Sequence, residues 1–173
     1  MLFEEAISGI DIPHSIKASL TLIKVPYCSF ENQILTGELI VHKDLADETI
    51  EIFKEIADVK FPIMKAIPIS YYNWSDEDSM ADNNTSCFNY RKIYGTSKLS
   101  QHAYGRAVDI NPLFNPYIAR DGSVHPKGIY YDISRFGTIT EESGVVNVFE
   151  KRNWIWGGRW QDRKDWQHFE KPR

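Results

Sequence analysis

The chain is poor in several things, and each scarcity removes a class of protein. It has only two cysteines, Cys28 and Cys87, in 173 residues. That is too few for a zinc ribbon or a disulfide-dense scaffold, and leaves one disulfide or two free thiols. Positive charge is not in excess: 20 Lys and Arg face 24 Asp and Glu, a formal net charge of −4. With no global basic field to hold a polyanion, nucleic acid is not expected as the main partner. No apolar run approaches the ~20 residues of a membrane span. The N-terminus, Met-Leu-Phe-Glu-Glu-Ala-Ile-Ser-Gly, has acids where a signal peptide has a basic region, so the chain as given reads as soluble and without an export signal. A G-x-G-x-x-G turn and a regular strand–helix rhythm are also missing, which argues against a doubly wound nucleotide-binding fold.

What is present is an ordinary globular mix, 42% hydrophobic and 25% charged, in a length that suits one domain. We expect a loosely structured or short helical lead-in over 1–19, broken at Pro13, and a single domain over 20–173. Aromatic residues make up 13% and are assigned first to the core, a sugar-lined groove being the other use.

Leu20-Thr-Leu-Ile-Lys-Val25 reads as a strand stopped by Pro26, and Gly37 to His42 as a second. Asp44 or Asp47 then offers an N-cap for a helix to about Asp58, with Leu45, Ile50, Phe53, Ile56 and Ala57 on its apolar face. Residues 61–70, twice interrupted by proline, suit an edge strand or extended segment. Asp76, Glu77, Asp78 and Asp82 lack the spacing of a calcium loop and are expected in a solvated loop bordering a cleft. Residues 113–147 read as a long loop, 142–151 as a helix weakened by Gly144, and 166–170 as a strand. His14 and His125 are expected at the surface, and His42 as structural or exposed.

Two segments carry chemistry: Ser100-Gln-His-Ala-Tyr-Gly-Arg-Ala-Val-Asp109 and Asp165-Trp-Gln-His168. Two histidines and two aspartates suffice for three metal ligands and a general base, the minimum for a zinc-activated water that cuts an amide. His102 and Asp109 are seven residues apart and would face opposite ways on a continuous strand; Gly105 between them can turn the backbone. Asp109 lies in the apolar run Ala-Val-Asp-Ile and needs a cation if buried. Arg106 or Lys98 supplies one in a purely structural reading and a metal shared with His102 in a functional one; from this segment alone the two stand even. On a strand, Trp166, His168 and Glu170 share a face with Asp165 at its mouth, although a His–Asp pair in an aromatic core explains that segment in isolation equally well.

Together the segments spell Ser-x-His-x-x-Gly-x-Ala-x-Asp over 100–109, with Asp-x-x-His over 165–168. This resembles the zinc D-alanyl-D-alanine carboxypeptidase family, which includes VanY-like and VanX-like enzymes and L-alanyl-D-glutamate endopeptidases. The similarity runs from about Gly37, through Asn89-Tyr-Arg91, to Glu170. It implies an α+β fold with a small, mostly antiparallel sheet flanked by helices, as in hedgehog signalling domains. It further implies one zinc per chain on His102, Asp109 and His168, with Asp165 as catalytic base. Arg91 would stabilise the substrate carbonyl or carboxylate, and Ser100 would lie near the substrate.

The expected activity is hydrolysis within peptidoglycan stem peptides or muropeptides by a monomer. A cell-envelope or extracellular location follows from that substrate. The carboxypeptidases carry Glu where this chain has Asp165, and the Asp-x-x-His form is similar to that of the endopeptidases. A zinc-bearing binding module without catalysis is the alternative.

Overall fold

A computed structural model describes residues 1–172 of the chain. It mixes short helices with small sheets, three of them antiparallel and one parallel, an α+β fold as expected. The N-terminal residues form α1 (Phe3–Ala6) and α2 (His14–Ser19). Of the two forms expected for the lead-in, the short helical one is present, and it is packed down: Ala6, Ile7 and Ile16 are buried in a cluster with Leu20, Ile40 and Phe88, and the Trp74 indole donates to Ser8 O at 2.9 Å.

Strands β1 (Leu20–Cys28) and β2 (Ile34–His42) form an antiparallel hairpin. β1 runs on through Pro26, which pairs with Thr36. Among the described residues β2 is the only partner of β1 in that sheet, so a missing N–H on the open side breaks no ladder bond. Alternate side chains go to opposite faces. Ile23, Val25, Leu39 and Val41 meet the main core, while Leu20 and Ile40 join the smaller N-terminal cluster.

Helix α3 (Ala46–Asp58) covers the main-core face. Thr49, Ile52, Phe53, Ile56 and Ala57 are its buried residues, and Ile50 is only partly covered, so its inner face is turned from the expected one towards Ile52. Neither Asp44 nor Asp47 is its N-cap. A 3-10 turn over Lys43–Leu45 precedes it, capped by His42 Nδ1, which accepts from Asp44 N at 3.2 Å.

Next come β3 (Lys65–Ala66), α4 (Asp76–Ala81) and β4 (Asn84–Thr85), with β3 and β4 parallel. The acidic stretch therefore holds a helix rather than only loop, started by Ser75 Oγ accepting from Asp78 N at 3.1 Å. Strand β5 (Ala107–Asp109) follows, then β6 (Tyr117–Ile118), β7 (Val124–His125), α5 (Val145–Glu150), β8 (Ile155–Trp156), β9 (Lys164–Asp165) and β10 (His168–Glu170).

The sheet order β5-β10-β8 places the last strand in the middle, and a second sheet runs β7-β6-β9. The long segment after β5 is held by side chains rather than by repeating structure. Asn115, fully buried, donates to Ile110 O, Asn111 O and Gly137 O at 3.1–3.2 Å and accepts from Ile139 N at 2.7 Å.

Candidate metal centre

Local geometry delivers His102 and Asp109 from one stretch of chain. Ser100 Oγ accepts from His102 N at 3.3 Å and caps the 3-10 turn Gln101–Tyr104. Gly105 ends the turn in the left-handed region, φ 64° and ψ 31°, where a side chain costs energy. Glycine is needed there for space as well, because a Cβ at Gly105 would lie 2.6 Å from His42 N. The chain then enters β5, and Asp109 becomes the direct antiparallel partner of His168 on β10. Backbone bonds between Ser86 and Asp109, 3.0 and 2.9 Å, fix that end of β5 from its other side.

Three side chains converge. His102 Nε2 lies 3.0 Å from Asp109 Oδ2 and 3.1 Å from His168 Nδ1, and His168 Nδ1 lies 2.9 Å from Asp109 Oδ1. All three residues are buried, and one donor atom from each lies within 4.8 Å of the others. Zinc bonds of 2.0–2.1 Å at tetrahedral angles imply donor separations of roughly 3.3 Å, so the set needs little movement to hold such an ion. The far nitrogens are occupied: His102 Nδ1 meets Cys87 O at 2.5 Å, and His168 Nε2 meets Glu170 Oε2 at 3.0 Å. These partners hold protons on the far sides and aim the other nitrogens at the common point, the usual support of a metal-binding imidazole.

The two histidines supply the positive charge that a buried Asp109 needs. Burial would raise Asp109, yet His102 and His168 outweigh it and hold the carboxyl well below the usual range. Burial would likewise lower His168, but hydrogen bonds to Asp109 and Glu170 push it up to about 10. Asp165 goes the other way, raised to about 7 by burial, against the nearby positive charge of His168 and Arg91. Its Oδ1 is buried without a hydrogen-bond partner.

These groups open into a cleft of about 290 Å³ lined also by Asp76, Arg91, Trp160 and Arg163, near the lower end of the roughly 300–1,000 Å³ usual for small-ligand sites. Residues 94–171 match the D-alanyl-D-alanine carboxypeptidase family model. No curated protein and no solved structure matches the chain. The family match contains the whole Ser100–Asp109 and Asp165–His168 motif, agrees with the resemblance read from it, and supports a peptidase of the D-Ala-D-Ala carboxypeptidase type. Arg91 lies outside the matched stretch.

Within this cleft the structure brings together His102, Asp109, His168, Asp165, Arg91 and Ser100. Arg91 Nε lies 3.1 Å from Asp76 Oδ2 as an ion pair without hydrogen-bond alignment, and Asn89 Nδ2 donates to the other oxygen of Asp76 at 3.1 Å. The acidic stretch thus does border the cleft, through the first residue of α4. Ser100 has its hydroxyl engaged in capping the turn of His102.

Neither Arg106 nor Lys98 pairs with Asp109. Arg106 donates to Lys171 O and Pro172 O, Lys98 is exposed, and the ion-pair partners of Asp109 are the two histidines. His125, expected in solvent, is a half-buried part of the cleft wall, its ring 6.0 Å from both Tyr94 and Tyr117. Glu170 is the functional residue that motif reading left without a role; its place two residues after His168 on one strand face was the available signal. Gly157 lets the aromatic turn pass under Asp165, since a Cβ there would lie 2.6 Å from Asp165 O.

Proposed function

We propose that the chain is a zinc-dependent hydrolase of peptidoglycan stem peptides, with His102, Asp109 and His168 holding one zinc and Asp165 acting as general base. The observation that carries this reading is the convergence of three buried donor atoms within 4.8 Å beside a carboxylate whose buried Oδ1 has no partner. The donor set suits the metal: two neutral imidazoles and one carboxylate leave a fourth tetrahedral position for solvent or substrate. Zinc held there supplies Lewis acidity, polarising a carbonyl and lowering the pKa of water from about 15.7 to about 7.

The chain's own groups do the rest. Asp165, raised to about 7, is poised to take a proton from the attacking water near neutral pH and to pass it to the leaving amine. Arg91, braced by Asp76, offers its outer guanidinium nitrogens to the oxygen on which negative charge develops. Ser100 positions His102 by capping its turn, and its place on the cleft wall sets it near the substrate.

The test is metal analysis of the purified protein joined to amine release from defined muropeptides. One zinc per chain is expected, and Asp165→Ala should retain it while losing about 10²–10⁴-fold in rate. Full activity in Asp165→Ala, or a protein purified from zinc-containing medium without stoichiometric zinc, refutes the reading. Mass spectrometry of the products separates release of a terminal D-alanine from cleavage inside the stem.

A further inference from the structure

One wall of the cleft is built of rings that the proposed chemistry does not use. Its geometry follows from the sheet β7-β6-β9. Tyr117 on β6 is the direct antiparallel partner of both His125 on β7 and Asp165 on β9, and directly opposed residues put their side chains on one face. Asp165, Tyr117 and His125 therefore form a row across the sheet, and all three line the cleft. Neighbouring strands lie ~4.8 Å apart, so the row carries His125 about 10 Å from Asp165. The rings of Tyr117 and His125 are stacked, centres 6.0 Å apart and planes at 29°. Tyr94, arriving from a separate turn, extends the row, its ring centre 6.0 Å from that of His125.

Two features suit this ledge to a ligand rather than to packing. Tyr94 lines the cleft while 76% exposed, so its ring gains little from burial within the protein itself. Its backbone is nonetheless fixed: Ile93 N donates to Lys98 O at 2.8 Å and Thr96 N to Ile93 O at 3.0 Å. His125 also has its tautomer set. Ser123 Oγ donates its one proton to Asp121 Oδ1 at 2.7 Å, so towards His125 Nε2, 3.4 Å away, it acts as an acceptor. In the neutral ring the proton then sits on Nε2, and Nδ1 is the acceptor. The ledge thus offers flat ring faces with a nitrogen acceptor midway and a hydroxyl at its outer end.

We infer that Tyr117, His125 and Tyr94 form a subsite for the N-acetylated amino sugar that carries the stem peptide. This rests on the proposed peptidase reading and adds which part of the substrate, beyond the peptide, is held. A stem peptide of alanine, glutamate and a diamino acid has no flat apolar group. A pyranose has one, a ring-sized face of C–H bonds edged with hydroxyls and an amide, which complements rings that carry an O–H and a nitrogen. The reach of the ledge also selects the bond that is cut. L-Ala-D-Glu is the first peptide bond after the lactyl arm of the sugar, about two extended units or ~7 Å along the chain, whereas D-Ala-D-Ala is the fourth, about five units or ~17 Å along it. In the first case the sugar ring rests at His125; in the second it lies past the last ring of the ledge.

The test compares a disaccharide-linked pentapeptide with the same pentapeptide lacking the sugars. With the zinc-loaded protein, KM for the sugar-linked substrate should be about 3- to 10-fold lower at similar kcat, the range for stacking contacts of this kind. Mass spectrometry should find the cut at L-Ala-D-Glu. Tyr94→Ala should erase most of the KM advantage while leaving Tm and the KM for free peptide unchanged, and Tyr94→Phe, which keeps the ring, should retain most of it.

Equal KM for the two substrates, an equal effect of Tyr94→Ala on both, or release of terminal D-alanine alone overturns the inference and leaves the peptidase reading standing. If the unmutated protein cleaves nothing, the peptidase reading falls and binding decides on the ledge. Saturation-transfer NMR with the intact disaccharide-linked pentapeptide and the Asp165→Ala protein should then show contact at the sugar protons that Tyr94→Ala weakens. Absence of that contact, or contact indifferent to Tyr94→Ala, overturns the inference.

Discussion

Replacing Gly105 with alanine tests whether one backbone position holds both the fold and the centre. The residue is left-handed, φ 64°, which costs an L-residue about 1–2 kcal/mol. A methyl there would also meet His42 N at 2.6 Å, Val41 C at 2.8 Å and Leu20 Cδ2 at 2.8 Å. Two of these are backbone atoms of β2, locked in register with β1, so relief must come from shifting the turn, at about 1–3 kcal/mol for the overpacking. The shift also endangers the 2.8 Å bond from His42 N to Gly105 O. The total is about 3–6 kcal/mol, or a fall in Tm of roughly 6–24 °C for a chain of this size.

Gly95→Ala is the matched control. Gly95 is also left-handed, φ 72°, but a Cβ there meets nothing within 4 Å, so only the conformational cost of about 1–2 kcal/mol applies. Thermal and urea unfolding of both variants measure the difference. Because Gly105 N donates to His102 O at 3.0 Å, zinc affinity measured against a competing chelator should fall in Gly105→Ala and stay unchanged in Gly95→Ala. Equal destabilisation of the two variants within about 1 kcal/mol would refute the close-approach argument.

Other outcomes follow from the same structure. Glu170→Gln removes the charged acceptor behind His168 and should weaken zinc binding about 10- to 100-fold with Tm little changed, again read by chelator competition; unaltered affinity would show that Glu170 does not support the ligand. Asn115→Ala strips four hydrogen bonds from buried backbone groups and should cost at least ~3 kcal/mol, visible as a lower denaturant midpoint. Hydrogen bonds from Arg152 and Lys151 hold Glu55 below the ordinary carboxylate range. A depressed folded pKa stabilises above the unfolded value and loses that benefit as pH falls through the folded one. Glu55→Gln should therefore lower stability slightly at pH 7, by less than ~1 kcal/mol at so open a site, and not at pH 2, as read from thermal unfolding at the two pH values. Cys87 is buried and free, its thiol pushed up by burial, so native protein should resist thiol reagents at Cys87 until it is denatured.

The proposed ligands were legible because metal-binding chemistry restricts the residue types and their spacing follows from a turn and a strand. His102, Gly105, Asp109, Asp165 and His168 are a pattern of side chains, and a sequence displays side chains directly. The acceptor behind His102 was not legible, since it is the backbone carbonyl of Cys87 and any residue carries one. The hairpin's two strands were visible from alternation, but Pro26 concealed the continuation of β1, because its lack of an N–H matters only where a neighbour needs it. The helix of Asp76–Ala81 was hidden by its acids, which are also favourable at a helix start. The burial of 1–19 depends on Phe88 and Ile40 arriving from elsewhere, a contact that no local pattern announces.

The position of β10 between β5 and β8 has a consequence for how the centre comes into being during synthesis. Both outer strands leave the ribosome before the strand that joins them, so until β10 arrives Asp109 lacks its partner and Trp156 lacks Phe169. The pairing that closes the sheet is the same pairing that sets His168 opposite Asp109. Side chains alternate along a strand, so a slip of one residue would turn His168 away from Asp109 and put Phe169 or Gln167 in its place. Burial of Phe169 against Phe149, ring centres 4.0 Å apart, penalises that slip. Hydrophobic packing on one face of the last strand therefore acts as the proofreader for the polar chemistry on the other.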